Sequence, residues 1–135
     1  ANGTTIDLYN ELNLFQSEEA RMLDLVDAMA KGNRPDVILF YNSNPVYSLP
    51  NGADFAKELK NVKTSVSMNS HADETSSLCT YMCPAHHSLE TWSDFNPKTN
   101  HYALAQPMIT PLHDTASPIE SMMVWAGQAL REGKR

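Results

Sequence analysis

Residues 37–45 read VILFYNSNP, an uncharged apolar run that stops in two asparagines, a serine and a proline. Bounded by Pro35 and Pro45, Asp36–Tyr41 is too short for a buried helix, and its unbroken apolar character predicts a strand covered on both faces. Beyond the loop, NGADFAKELKN places Phe55 and Leu59 four apart, the spacing of a short amphipathic helix. Val62–Met68, rich in β-branched residues, predicts a second strand. ADETSSLC can make a helical turn or two, and YMC before Pro84 a third, short strand. Strands alternating with helices at this spacing define an α/β fold, a Rossmann-like, three-layer parallel sheet with flanking helices joined by right-handed crossovers.

Outward from this centre, Ser17 followed by Glu18 and Glu19 marks a helix start, because a hydroxyl can cap orphan N–H groups and acids suit the positive end of the dipole. The helix is expected over 17–31, with Met22, Val26, Met29 and Ala30 on one face and Gly32 at its exit. Residues 1–16 have weak periodicity and read as an irregular arm, leaving 17–135 as one domain. HYALAQP (101–107) is strand-like but follows an irregular stretch containing Asn96-Pro97, so it should leave the parallel sheet for an edge or a neighbouring layer. The final helix has Ser117 as N-cap, Pro118 at its first position and Glu120 completing a capping box. Ile119, Met122, Met123, Ala126 and Leu130 form its expected buried stripe, with Arg131, Lys134 and Arg135 near its negative end.

A chain of 135 residues, 41% hydrophobic, can bury one core of moderate size. Ten Lys plus Arg against sixteen Asp plus Glu leave a net charge of −6 without a block of like charge, which argues against nucleic acid or anionic lipid as a partner. No apolar run reaches the roughly 20 residues of a membrane span, and the first residues lack a secretory pattern. The start at Ala1 reads as a processed or excised piece. Cys79 and Cys83 cannot alone complete a four-thiolate site and are expected to act as small buried hydrophobes. The seven methionines read as core filling.

In a parallel sheet, ligands sit beyond the carboxyl ends of the strands, which is where Asn42, Ser43, Asn44 and Pro45 fall. The asparagines can offer amide donors and acceptors to a polar ligand, or can tie the turn to itself. HADET ends the second strand, so the two loops should share a rim, with Asp73 capping the following helix. His86, His87 and Glu90 are the remaining candidates, for a small metal-dependent hydrolase. Their order is not the one that metalloprotease-type zinc binding requires. His71, His101 and His113 are scattered, and neither a G-x-S-x-G elbow nor a glycine-rich phosphate loop is present.

DVILFYNSNPVYSLPNG, then DETSSLCTYMCPAHHSLETWSD, then HYALAQPMITPLHDTASPIESMMVWAG resemble, in order and spacing, part of the large subunits of the molybdopterin-dinucleotide oxidoreductase family. The likeness runs from about Asp36 to Gly127. It implies the α/β domain that helps hold one half of a bis-pterin guanine dinucleotide cofactor, with Asn42, Ser43, Asn44 and Pro45 matching one motif and Glu74 and Thr75 another. CPAHHSLETWSDFNPKTNHYALAQPMI is more similar to one branch, the molybdopterin-like iron–sulfur subunit of bacterial alternative complex III. That branch keeps the fold without molybdenum cofactor and carries its iron–sulfur clusters in a separate portion. Catalytic relatives often place glycine where Asn42 stands, and a side chain there would crowd a bound nucleotide.

The resemblance therefore implies a fragment of a larger oxidoreductase subunit, a cofactor-free scaffold in a quinol-oxidising respiratory complex at the periplasmic face of a bacterial inner membrane. Its partners would be the remainder of the parent subunit and other subunits of the complex. A sheet of about three strands leaves edges and a face to be covered, which would also let the isolated, inactive piece pair with itself. The alternative is a true molybdopterin guanine dinucleotide-binding domain.

Overall fold

The structure, a computed structural model, describes Gly3, Thr5 and residues 19–127. The elements run α1 (Glu19–Ala30), β1 (Val37–Phe40), α2 (Pro45–Ser48), α3 (Gly52–Leu59), β2 (Thr64–Ser67), a 3₁₀ turn (Ser76–Leu78), β3 (Tyr81–Met82), β4 (Ser93–Lys98), β5 (His101–Ala105) and α4 (Pro118–Trp125). The arm expected over 1–16, Gly3 and Thr5 aside, lies outside the described residues, as do Ser17, Leu130, Arg131, Lys134 and Arg135.

β1, β2 and β3 form a parallel sheet in that order, with Val37 opposite Thr64, Phe40 opposite Ser67, and Ser67 opposite Met82. The α/β fold with flanking helices is thus the one read from the sequence. Apolar spacing explains the core: Val26 and Met29 of α1 and Phe55 and Leu59 of α3 close over Phe40 and Val62. Phe40 and Phe55 meet edge to face, ring centroids 6.0 Å apart and planes at 85°, the arrangement that aromatic quadrupoles favour.

Ile38 packs on this core with Phe40, so the period of two sends Val37 and Leu39 to the other face. They are 54% and 44% exposed. The expectation that this strand is covered on both faces therefore fails for β1 among the described residues. β2 differs, since Ser65, Val66, Ser67 and Met68 are all buried. The hydroxyls of Ser65 and Ser67 are matched at 3.3 Å by Thr80 and 2.7 Å by Ser76, as buried polar groups require.

Gly52 opens α3 where it crosses α2, and a Cβ there would lie 2.1 Å from the carbonyl oxygen of Val46. Backbone cannot swing aside as a side chain can. Gly52→Ala is expected to cost about 3 kcal/mol by forcing the two helices apart, read as a lowered midpoint in chemical denaturation.

Three expectations need correction. Ala30 is exposed, so the buried face of α1 is carried by Met22, Leu25, Val26 and Met29. The stretch around Asn96-Pro97 is strand β4, antiparallel to β5, with an irregularity between Phe95 and Lys98 that accommodates Pro97. HYALAQP does leave the parallel sheet, its β5 pairing with β4 across a turn in which Asn100 takes φ +60°. In α4, Ser117 caps the N–H of Glu120 at 3.5 Å and Pro118 stands in the first turn. However, Ile119, Met122, Met123 and Ala126 are exposed. An apolar stripe shows which face seeks cover, and among the described residues nothing supplies it.

Candidate functional site

β1 and β2 run parallel, so their carboxyl ends share one rim, and the loop 42–45 comes down beside the loop 69–75. Asn42 takes φ +48°, a left-handed conformation that glycine and asparagine adopt most readily. Asn44 is the N-cap residue of α2, yet its side chain makes no cap bond. It reaches across instead. Its Nδ2 donates to Glu74 Oε2 at 2.7 Å, and its Oδ1 accepts from the Thr75 hydroxyl at 2.7 Å. Thr75 Oγ1 in turn accepts from the Val46 N–H at 3.1 Å, and Thr75 is fully buried.

A second bridge lies beneath the first. Asn69 Nδ2 donates to the Ser43 carbonyl at 2.8 Å and to Asp73 Oδ2 at 2.7 Å, while its Oδ1 accepts from the Ser43 N–H at 3.2 Å. Asp73 Oδ1 accepts from the Ser76 N–H at 2.7 Å, the capping role read from the sequence. Asn69 itself was missed. The signal was its place directly after the apolar end of β2, the position equivalent to the loop that follows β1.

The candidate residues Asn42, Ser43, Asn44, Pro45, Glu74 and Thr75 are therefore gathered at one rim, with Asn44, Glu74 and Thr75 bonded to one another. Partial desolvation pushes the Asp73 carboxyl up, but hydrogen bonds from Ser76, Asn69 and the Thr75 backbone outweigh it and hold the group below its usual range. The Asn44 amide, followed by its own backbone N–H, lowers Glu74 in the same direction. A group lowered in the folded state stabilises it above the unfolded value and stops doing so as pH falls through the folded one. Stability should hold at neutral pH and decline as pH drops below about 4, and Asp73→Asn should flatten that decline in thermal unfolding followed across pH.

A dinucleotide at this rim would meet two ionised carboxylates, and the Asn44 amide and the Thr75 hydroxyl are committed to the opposite loop. The set suits a clasp between loops better than a diphosphate cradle.

His86, His87 and Glu90 lie in the irregular stretch between β3 and β4. Glu90 Oε1 accepts from the Leu112 N–H at 3.1 Å and Oε2 from the His87 N–H at 3.0 Å. Those N–H groups, that of Leu112 first, hold its carboxyl below the usual range. His86 Nδ1 lies 2.6 Å from Thr115 Oγ1. These contacts fasten residues 112–116 to 84–90, and among the described residues no three His, Cys, Asp or Glu side chains are arranged to hold a metal. Cys79 and Cys83 are free, half-buried thiols. Burial pushes the Cys79 thiol up, and its Sγ donates to the Thr75 carbonyl at 3.3 Å.

With this geometry in view, the chain is 32% identical over 105 residues, 75% of its length, to the menaquinone reductase, molybdopterin-binding-like subunit of Nitratidesulfovibrio vulgaris. The similarity is to a molybdopterin-related oxidoreductase subunit. The chain spans about 15% of the length of that curated relative. No family model matches. No helix among the described residues is long and apolar enough to cross a membrane.

Proposed function

We propose that this chain is a structural segment of a larger molybdopterin-oxidoreductase-like subunit, a scaffold that holds no pterin dinucleotide of its own within a quinone-linked electron-transfer complex. The observation that carries this reading is the clasp: Asn44, Thr75 and Glu74 satisfy one another across the two strand ends where the family's cofactor would lie. The similarity to a subunit named as molybdopterin-binding-like supports the same reading. The relative is named for reducing menaquinone, whereas the sequence resemblance pointed to quinol oxidation. A scaffold role is the same in either direction.

The periplasmic face of a bacterial inner membrane, iron–sulfur clusters elsewhere in the parent protein, and neighbouring subunits as partners belong to this proposal. So does the inactivity of the isolated segment. A dinucleotide-binding domain is the second reading, favoured by the meeting of the two loops on one rim. Calorimetric titration of the purified chain with GDP separates the two. No saturable heat is expected up to about 1 mM, whereas tighter binding, with protection of Asn42–Asn44 from exchange, would overturn the scaffold reading.

A further inference from the structure

We infer that the open edge of β1 is the seat of a fourth, parallel β-strand supplied by another part of the larger polypeptide. This inference rests on the reading of the chain as a segment of such a subunit. In the sheet, the carbonyls of Asp36 and Phe40 accept from the N–H groups of Thr64 and Met68. Alternation along the strand then directs the N–H and C=O groups of Val37 and Leu39 away from β2, to a side where no strand lies among the described residues.

The two edges of the sheet are unlike. β3 is two residues long and is followed closely by Pro84, and a short edge is protected by its length. β1 offers four residues, VILF, with no proline, lysine or bulge to deter pairing. Alongside it runs a groove of about 720 Å³, lined by Met22, Leu25, Ile38, Leu39, Leu49 and Pro50 among others. A strand laid against β1 would point alternate side chains into this groove and the others beside Leu39.

Handedness explains the bare face. The crossover from β1 to β2 carries α3 on the face where Phe40 packs. Because parallel crossovers are right-handed, a connection that leaves β3 for the opposite side of β1 must travel over the opposite face. That is the face carrying Val37 and Leu39, 54% and 44% exposed. One further strand with its crossover helix would thus pair the edge, fill the groove and cover the face. A second copy of the chain would not, because two-fold pairing of β1 with itself runs antiparallel. Length allows it: the matched 105 residues are 15% of the similar subunit.

The test is amide hydrogen exchange at Val37 and Leu39, measured in the 135-residue chain and in the native polypeptide that contains it, the latter identified by mass spectrometry. Exchange should be slower by about a hundredfold or more in the longer polypeptide. Equal rates in the two would overturn the inference while leaving the scaffold reading intact. So would protection in the short chain that grows with its concentration, the mark of a second copy on β1. Failure to find any longer polypeptide would remove the reading and the inference together.

Discussion

Replacing Asn69 with alanine is expected to lower stability by about 3 kcal/mol. Asn69 is 8% exposed and makes three of the four hydrogen bonds open to an amide, two to the backbone of Ser43 and one to Asp73. Alanine would leave each of those partners short, two of them on a different loop from the substituted residue. For a chain of this size, the loss corresponds to about 10 °C in melting temperature. Asn69→Asp separates packing from bonding. The carboxylate keeps an acceptor for the Ser43 N–H but faces Asp73, so the variant should be poorer at neutral pH and recover part of its deficit as pH falls toward 4. Urea denaturation at two pH values reads both effects, and a change below about 0.5 kcal/mol for the alanine variant would place the residue among ordinary surface positions.

Phe55→Ala is expected to be the most damaging single change, about 4 kcal/mol. Phe55 is fully buried and joins α3 to β1 through its contact with Phe40. Removing the ring leaves a cavity between elements whose backbones are held by the sheet and by α1, so little collapse can offset it. Against a typical domain stability of 5–15 kcal/mol, this would leave much of the chain unfolded on mild heating. Tyr47, 77% exposed, is the control; its alanine variant should differ from the parent by less than about 0.5 kcal/mol.

The parallel sheet was legible because each strand is a short apolar or β-branched run between punctuating residues, and α3 because Phe55 and Leu59 fall on one face. The meeting of the two loops was legible for a topological reason, since parallel neighbours end on the same rim. What the side chains do there was less so. Asn44 could have capped α2, bound a ligand or reached across, and only the geometry distinguishes these; Asn69, with no turn motif around it, carried no signal beyond its place after β2. β4 was hidden by Asn96-Pro97, a pair that marks turns but here sits at an irregularity in a strand. The stripe of α4 was read correctly as apolar and wrongly as buried, because composition records what a face requires and not whether the same chain provides it.

A double-mutant cycle between Asn44→Ala and Thr75→Val tests most directly whether the two loops are clasped to each other. These side chains are joined by a bond of 2.7 Å, from the Thr75 hydroxyl to Asn44 Oδ1. A coupling energy of about 1 kcal/mol is expected. Additivity within about 0.3 kcal/mol would mean that the loops stand independently at the rim, and would contradict the clasp on which the scaffold reading depends.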